Sequence, residues 1–377
     1  MAQTGALEAV SRTGNLDAVA VEAGVSRLAD VTGLDCIGVP VWQAVRPWSR
    51  ALSVHQGKGA SVAVARRGAV MEAVESHHAE QWRPDAAMVM TGRAWLMLDA
   101  AVRPGAADDF AVVRGLVAGD TPMDWTMVAP LGESTGFVVP VLAVGLDCTI
   151  VETGGVSIDS NGLAAHFDVE AATLSALLEL IERDAVGSWR RASPVVRSGT
   201  AVAVAGVDCP LVGDWAERCA RRGIAVRLYA IDAVVPVVVA ELHAAGADRA
   251  EHRHVWGSAA ALDWRAAVRA AMLEALQTRC SQIAGARDTI PIRHAEHAEQ
   301  AGGRAQGFGL PDNGDWAGHP LPVAGAITDL DGLVAALIRS GRRQVGRMVV
   351  SPPGSAAVTV KAFVPGMGFE SRASRAP

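Results

Sequence analysis

Ser160-Asn-Gly-Leu-Ala-Ala-His-Phe-Asp168-Val-Glu-Ala-Ala-Thr-Leu-Ser-Ala-Leu-Leu-Glu-Leu-Ile-Glu-Arg-Asp-Ala185 leaves a glycine-containing loop and enters a strong helix. Leu174, Leu177, Leu178 and Ile181 recur at helical spacing and mark its buried stripe. Asp168 stands where an N-cap belongs, so the helix is expected over about residues 169–188. Two more long helices share this pattern of strands, loop, then helix. One is expected over about residues 61–80, with Val62, Val64, Val70, Met71 and Val74 roughly on one side. The other is expected over about residues 262–282.

The intervening segments read mostly as strands. Residues 25–60 are rich in Gly, Pro and Val, and residues 84–150 alternate short apolar runs with Gly, Pro and Asp. Residues 199–243 suggest strand, helix (about 214–222), strand (224–229) and a valine-rich strand around Pro236. The longest apolar runs, 137–146 and 233–240, are interrupted by Pro140 and Pro236 and read as buried strands. The tail from residue 311 offers a helix near 330–340, a Ser351-Pro-Pro-Gly turn and a strand over 357–364. Strands alternating with helices indicate an α/β fold, with a hint of repeated strand-helix units. No Pro/Ser-rich linker divides the chain, so one large domain is expected over residues 25–377, preceded by an arm or short helix over 1–24.

The chain of 377 residues is half hydrophobic and one-fifth charged, which is globular composition. Its net charge of −6 argues against general binding to nucleic acid or anionic membranes. No run of ~18 apolar residues is present, and the N-terminus lacks a secretory pattern, so a soluble cytoplasmic protein is expected. The cysteines (Cys36, Cys148, Cys209, Cys219 and Cys280) are odd in number and form no C-x-x-C pair, which excludes a disulfide framework and a zinc ribbon. Of 34 basic residues only Lys58 and Lys361 are lysine. This reads as coding bias, and it draws attention to those two.

Several patterns carry chemistry. Glu72 with Glu75, and Glu179 with Glu182, are spaced to share helix faces, and Arg183 lies four residues after Glu179. The bland reading is two solvated faces with an ion pair. Yet these carboxylates lie against apolar stripes, where an unpaired charge is costly. Two such pairs facing one cleft would suit Mg²⁺ ions that also hold nucleotide phosphates. Gly57-Lys58-Gly59 precedes the first helix. It is either a plain turn or a place where backbone N–H groups meet a phosphate, and it is not a P-loop. Gly132-Glu-Ser134-Thr-Gly136 matches G-x-S-x-G, but a strand-like Phe-Val-Val-Pro follows where a hydrolase needs a helix. His294 and His297 read as a solvated helix face, and Cys280 as packing. Glu274, Gln277 and Arg279 on the third helix are unremarkable by themselves.

Taken in order, the pieces resemble the YcaO family. They are Thr32-Gly-Leu-Asp-Cys-Ile-Gly-Val-Pro-Val, Arg46-Pro47, Ser53-Val-His-Gln-Gly-Lys-Gly, Ala69-Val-Met-Glu-Ala-Val-Glu, Ser160-Asn-Gly-Leu-Ala-Ala, Ala176-Leu-Leu-Glu-Leu-Ile-Glu-Arg-Asp-Ala, Glu274-Ala-Leu-Gln-Thr-Arg and Ile283-Ala-Gly-Ala-Arg-Asp. The resemblance covers about residues 25–300 as a core, with 301–377 as a C-terminal extension. It implies ATP- and Mg²⁺-dependent modification of peptide backbone amides. A nucleophile adds to the carbonyl, the oxygen is phosphorylated, and phosphate leaves. The resemblance assigns Glu72, Glu75, Glu179 and Glu182 to Mg²⁺–ATP and Arg183 to the phosphates, with Lys58 and Arg279 as further members.

Departures from the family pattern are specific. Where it has Ser-Gly-Asn and then Glu, this chain has Ala165, His166, Phe167 and Ala171, with Asp168 or Glu170 available to shift in. The usual Asp-Asp is Asp288-Thr289. The Thr-Gly-Leu-Asp opening and Val-Pro-Gly ending look like stand-alone members that act on thioamides with a TfuA-type partner. Two readings follow. One is an active enzyme on a ribosomally made precursor peptide, forming a thioamide first, otherwise an amidine or azoline (cyclodehydratase-type). The other is a degenerate subunit that binds an active YcaO paralogue or the peptide. A homo- or heterodimer is expected from the resemblance.

Overall fold

In the computed structural model, which describes residues 16–99, 122–150, 158–244, 254–285, 319–322, 325 and 327–367, strand pairing is antiparallel throughout the named strands. β1 (Arg27–Asp30), β2 (Val41–Val45) and β3 (Val54–Lys58) form one sheet in chain order. β4 (Met88–Met90), β5 (Met123–Pro130), β6 (Phe137–Pro140) and β7 (Leu163–His166) follow in sequence. β8 (Ala201–Val202), β9 (Ile224–Ile231), β10 (Val237–Ala244) and β11 (His254–Ala260) make a second sheet, with β8 and β11 at its edges. β12 (Gly346–Val349) and β13 (Val358–Phe363) lie between β5 and β7, giving a third sheet of order β4-β5-β12-β13-β7 with β6 on β5.

The main helices are α1 (Leu16–Glu22), α2 (Val62–Gln81), α3 (Val169–Arg191), α4 (Pro210–Ala220), α5 (Trp264–Ala284) and α6 (Leu330–Arg339). Each of the three long ones begins on a side-chain cap. Ser61 accepts from the Val64 N–H, Asp168 from the N–H groups of Glu170 and Ala171, and Asp263 from the Ala266 N–H. Capping satisfies amides that have no partner in the first turn. The α/β class read from the sequence holds. None of the described helices is long and apolar enough to cross a membrane.

α3 is the central wedge. Ala176, Leu177, Leu180 and Ile181 share one core with Ala164 of β7, Ala362 of β13, and Tyr229, Val237 and Val239 of the second sheet. Helix α5 covers the opposite face of that sheet through Ala267, Val268, Ala271, Met272 and Ala275. Helix α2 lies on β2 and β3, and its buried face corrects the valine stripe expected from the sequence. Val62 is 49% and Val64 42% exposed, whereas Ala65, Ala69 and Ala73 are fully buried beside Val70 and Val74. Size explains the shift. A Cβ on Gly57 of β3 would lie 2.0 Å from the Ala65 carbonyl oxygen and 2.1 Å from the Ala69 nitrogen, so strand and helix meet backbone to backbone. Only small side chains fit such a seam. Gly257 of β11 makes the same approach to α5, where a Cβ would sit 2.2 Å from the Ala275 nitrogen.

One further expectation needs correction. The apolar run 137–146 is strand only to Pro140 and continues as a 3₁₀ turn over Val141–Ala143. Ser134 lies in the turn between β5 and β6, its hydroxyl 2.6 Å from the carbonyl oxygens of both Leu131 and Val345 with one proton to share between them, so it stitches that turn to the residue before β12. No helix follows it, which removes the nucleophile-elbow geometry. Within the segment read as an arm, α1 packs Val19 and Ala20 against Val70 and Val74 of α2. The buried Arg46–Glu80 pair, 2.9 Å apart and joined by Ser49, fixes the β2–β3 loop to the end of α2.

Gly57→Ala forces the β3–α2 seam apart and should destabilise the protein by about 3 kcal/mol. Chemical denaturation should show a lower midpoint, while Gly24→Ala serves as a control for backbone strain, because a Cβ at Gly24 (φ +74) meets no atom within 4 Å.

Candidate functional site

Where α2, α3 and α5 converge, five carboxylates gather. Glu72 and Glu75 come from α2, Glu179 and Glu182 from α3, and Glu274 from α5. Glu72 Oε2 accepts the backbone N–H of Gln56 at 2.6 Å, which ties α2 to the edge strand β3. Glu75 accepts from the backbone of Ala165, at the end of β7. Ser258 of β11 donates its hydroxyl to Glu182 Oε1 at 2.6 Å. Groups on three strands, β3, β7 and β11, therefore hold these carboxylates in place.

Three cations face them. Arg183 Nη2 lies 3.4 Å from Glu179 Oε1, and its Nη1 lies 4.0 Å from Glu182 Oε1. Lys58 Nζ is 3.1 Å from Glu274 Oε2, both side chains being about one-third exposed. Lys361, only 2% exposed, donates to the Asp159 carbonyl oxygen at 2.7 Å. Its charge reaches both Glu75 and Glu179.

The cations do not balance the crowding. Burial, followed by the charges of Glu179 and Glu72, pushes the Glu75 carboxyl well above the usual range. Burial raises Glu179 too, opposed by Arg183 and Lys361. Burial and the charge of Glu274 push Glu182 up to about 8, against Arg183 and the Ser258 hydroxyl. Burial lowers the Arg183 guanidinium, but the surrounding carboxylates outweigh it and raise it overall. Burial leads at all three, and like charge adds to it most at Glu75 and Glu182.

The donor set is all hard oxygen, which suits Mg²⁺ and not a soft metal. Among the described residues, no three His, Cys, Asp or Glu side chains are disposed to hold a metal alone. A Mg²⁺ ion here would complete its shell from phosphate and water, as it commonly does. The carboxylates fit that role.

The structure thus brings together Lys58, Glu72, Glu75, Glu179, Glu182 and Arg183. It places Arg279 elsewhere: its Nε binds Asp35 Oδ1 at 3.1 Å, so a partner on the segment before β2 claims it. Gly57 and Lys58 close β3, while the cap of α2 is Ser61, so the glycines serve the β3–α2 seam. Asp168 does not shift in, because it caps α3; Glu170 is exposed in the first turn. Phe167 packs with Val70 and Val74 of α2 and Val19 of α1. Cys280 is buried, its Sγ 3.3 Å from the Val31 carbonyl oxygen. His294, His297, Asp288 and Thr289 lie outside the described residues.

Sequence reasoning missed Glu274, Ser258, Gln56 and the role of Lys361. Gln56 is 5% exposed, and its Oε1 accepts from Gln277 Nε2 at 3.3 Å and from Ser281. The one signal available for Lys361 was its rarity. A separate cavity of about 530 Å³, lined by His78, Trp82, Arg83, Asp85, Pro352 and Ser355 among others, contains none of these carboxylates.

Comparison with known proteins follows the same lines. The chain is 29% identical over 360 residues to a protein of the tfuA 3′ region in Rhizobium leguminosarum bv. trifolii, covering 91% of this chain and 84% of that protein. Its fold is like that of YcaO from Methanopyrus kandleri bound with AMPPCP and Mg²⁺ (TM-score 0.67, 20% identity, 93% of this chain and 88% of that one). It is also like a heterocyclase in complex with substrate and cofactor (TM-score 0.68, 19% identity, 92% of this chain). The chain spans about half, 51%, of that heterocyclase's length. The profile of the family described as YcaO cyclodehydratase, ATP- and Mg²⁺-binding, matches residues 56–368, a span that contains every carboxylate of the cleft, and the chain belongs to the YcaO family.

Proposed function

We propose that this chain is an ATP- and Mg²⁺-dependent enzyme that activates backbone amides of a ribosomally made precursor peptide, with thioamide formation as its reaction. The observation that carries this reading is the gathering of five carboxylates from three helices, with the partly exposed Arg183 beside Glu179 and Glu182. Glu72, Glu75, Glu179 and Glu182 are the residues that would hold Mg²⁺, and Glu274 adds to the field that draws it in. Arg183, 43% exposed and permanently charged, would meet phosphate oxygens. Lys58 can leave Glu274 for a phosphate at little cost, because a partly exposed ion pair is weak. When bound, Mg²⁺–ATP supplies the phosphoryl group that turns an amide oxygen, a poor leaving group, into phosphate. The protein's own task is to fix that nucleotide beside the peptide carbonyl and to keep stabilising charge in place.

The choice of thioamide rests on the likeness to a tfuA-region protein and on the Val364-Pro-Gly ending. Amidine or azoline formation uses the same activation with a different nucleophile. A TfuA-type protein or a second YcaO chain is the partner this reading calls for, and a dimer the assembly.

One observation favours a second reading, that of a non-catalytic partner subunit. Phe167 is packed into the α1–α2 core, and Ala171 offers no charge, where the family pattern has polar side chains. The backbone of Ala165 still reaches Glu75, which keeps a polar contact despite the lost side chain.

Calorimetric titration with Mg²⁺ and a non-hydrolysable ATP analogue should give micromolar binding that both Glu72→Gln and Glu182→Gln abolish. No binding by a cooperatively melting protein would overturn the enzyme reading and support the partner subunit. Stability offers an independent check. The Glu182 carboxyl titrates near 8 in the folded chain and near its ordinary value when unfolded. Between those values the folded state holds a proton that the unfolded state has lost, so stability falls as pH rises toward 8. Glu182→Gln should flatten this slope and melt higher than the native protein at pH 9. Added Mg²⁺ should raise the melting temperature of the native protein there and leave the variant almost unmoved.

A further inference from the structure

Lys361 differs from the other two cations of the cleft. Arg183 is 43% and Lys58 30% exposed, so both can turn to water. Lys361 is 2% exposed and cannot. β13 carries it, and its register partner on β7 is Leu163. Its ammonium is anchored by the loop entering β7: Nζ donates to the Asp159 carbonyl oxygen at 2.7 Å and lies 3.5 Å from Asp159 Oδ1. Asp159 Oδ1 also accepts the Asn161 N–H at 2.9 Å, which locks that loop.

A carbonyl oxygen and one carboxylate at 3.5 Å are thin compensation for a buried ammonium. Its charge also reaches Glu75 and Glu179. The cleft thus contains one positive charge that it can neither expose nor move. To an incoming ligand this charge has two opposite effects. It repels a bare divalent cation and attracts phosphate.

We propose that Lys361 is the fixed counter-charge of the carboxylate cleft, restraining its occupation by a divalent cation alone and favouring the cation that arrives with nucleotide phosphates. This rests on the ATP and Mg²⁺ reading above. Lys361 acts as a positioning residue through Glu75 and Glu179, and its mark is a pair of shifts with opposite signs.

The test is to titrate Mg²⁺ alone, and then a non-hydrolysable ATP analogue in the presence of Mg²⁺, into the native protein, Lys361→Gln, Lys361→Arg and Asp159→Asn. Thermal melts of each check the fold. Lys361→Gln keeps a donor for the Asp159 carbonyl but loses the charge. It should bind Mg²⁺ alone more tightly and the analogue more weakly, each by roughly tenfold, the scale of one nearby charge at intermediate dielectric. Lys361→Arg should restore native behaviour. Asp159→Asn strips the ammonium of its anionic neighbour while leaving Lys361 in place, and should shift both affinities in the reverse directions. It keeps the test decisive if Lys361→Gln does not fold. Parallel weakening of both ligands in Lys361→Gln, or no shift in a folded Asp159→Asn, would overturn the proposal while leaving the nucleotide reading standing. A native protein that binds neither ligand would overturn both.

Discussion

Like charge held at close quarters is the constraint on which this structure turns. Five carboxylates from three helices cannot share a half-buried cleft unless each is held by something other than its neighbours. The restraints come from four elements: β3 gives the Gln56 amide to Glu72 and Lys58 to Glu274, β7 the Ala165 backbone to Glu75, α3 its own Arg183 to Glu179, and β11 Ser258 to Glu182. The cost appears as raised carboxyl protonation, most clearly at Glu182. The helices must also be brought near enough for the problem to arise. The Gly57 seam draws α2 against β3, and the Gly257 seam draws α5 against β11. Two glycines with no chemistry of their own therefore govern the spacing of the carboxylates.

This explains why strand and helix packing around the cleft relies on alanine. A seam of backbone contact leaves no room for valine or leucine, and the fully buried Ala65, Ala69, Ala73, Ala271 and Ala275 line it. Bulkier packing is displaced to α3, which serves two sheets at once through Leu177 and Ile181 on its buried face while Glu179 and Glu182 reach the cleft. A helix in that position cannot rotate to relieve the electrostatics without breaking a core.

Much of the fold was legible in the sequence. α3 and its Asp168 cap, α2 and α5 stand close to where periodicity puts them, and the paired spacings of Glu72/Glu75 and Glu179/Glu182 do place those side chains together. The rest was not, for physical reasons. Hydrophobic periodicity weighs size, so it chose Val62 and Val64, although the buried face was selected by closeness and went to alanines. The run 137–146 is apolar throughout, and apolarity alone does not separate a strand from the 3₁₀ turn that Pro140 begins. Glu274 and Lys361 meet their partners 216 and 202 residues away along the chain, and no local pattern encodes such contacts.

One bond within the cleft has a stereochemical consequence. Glu72 gives Oε2 to the amide of an edge strand, at 2.6 Å. That bond uses one lone pair of Oε2 and fixes the direction in which the carboxylate faces. The same strand carries Lys58, so a movement of Glu72 is passed to Lys58 through β3. On the proposed reading, the strand that carries Lys58 thus also orients a carboxylate offered to Mg²⁺, and one backbone bond couples the two.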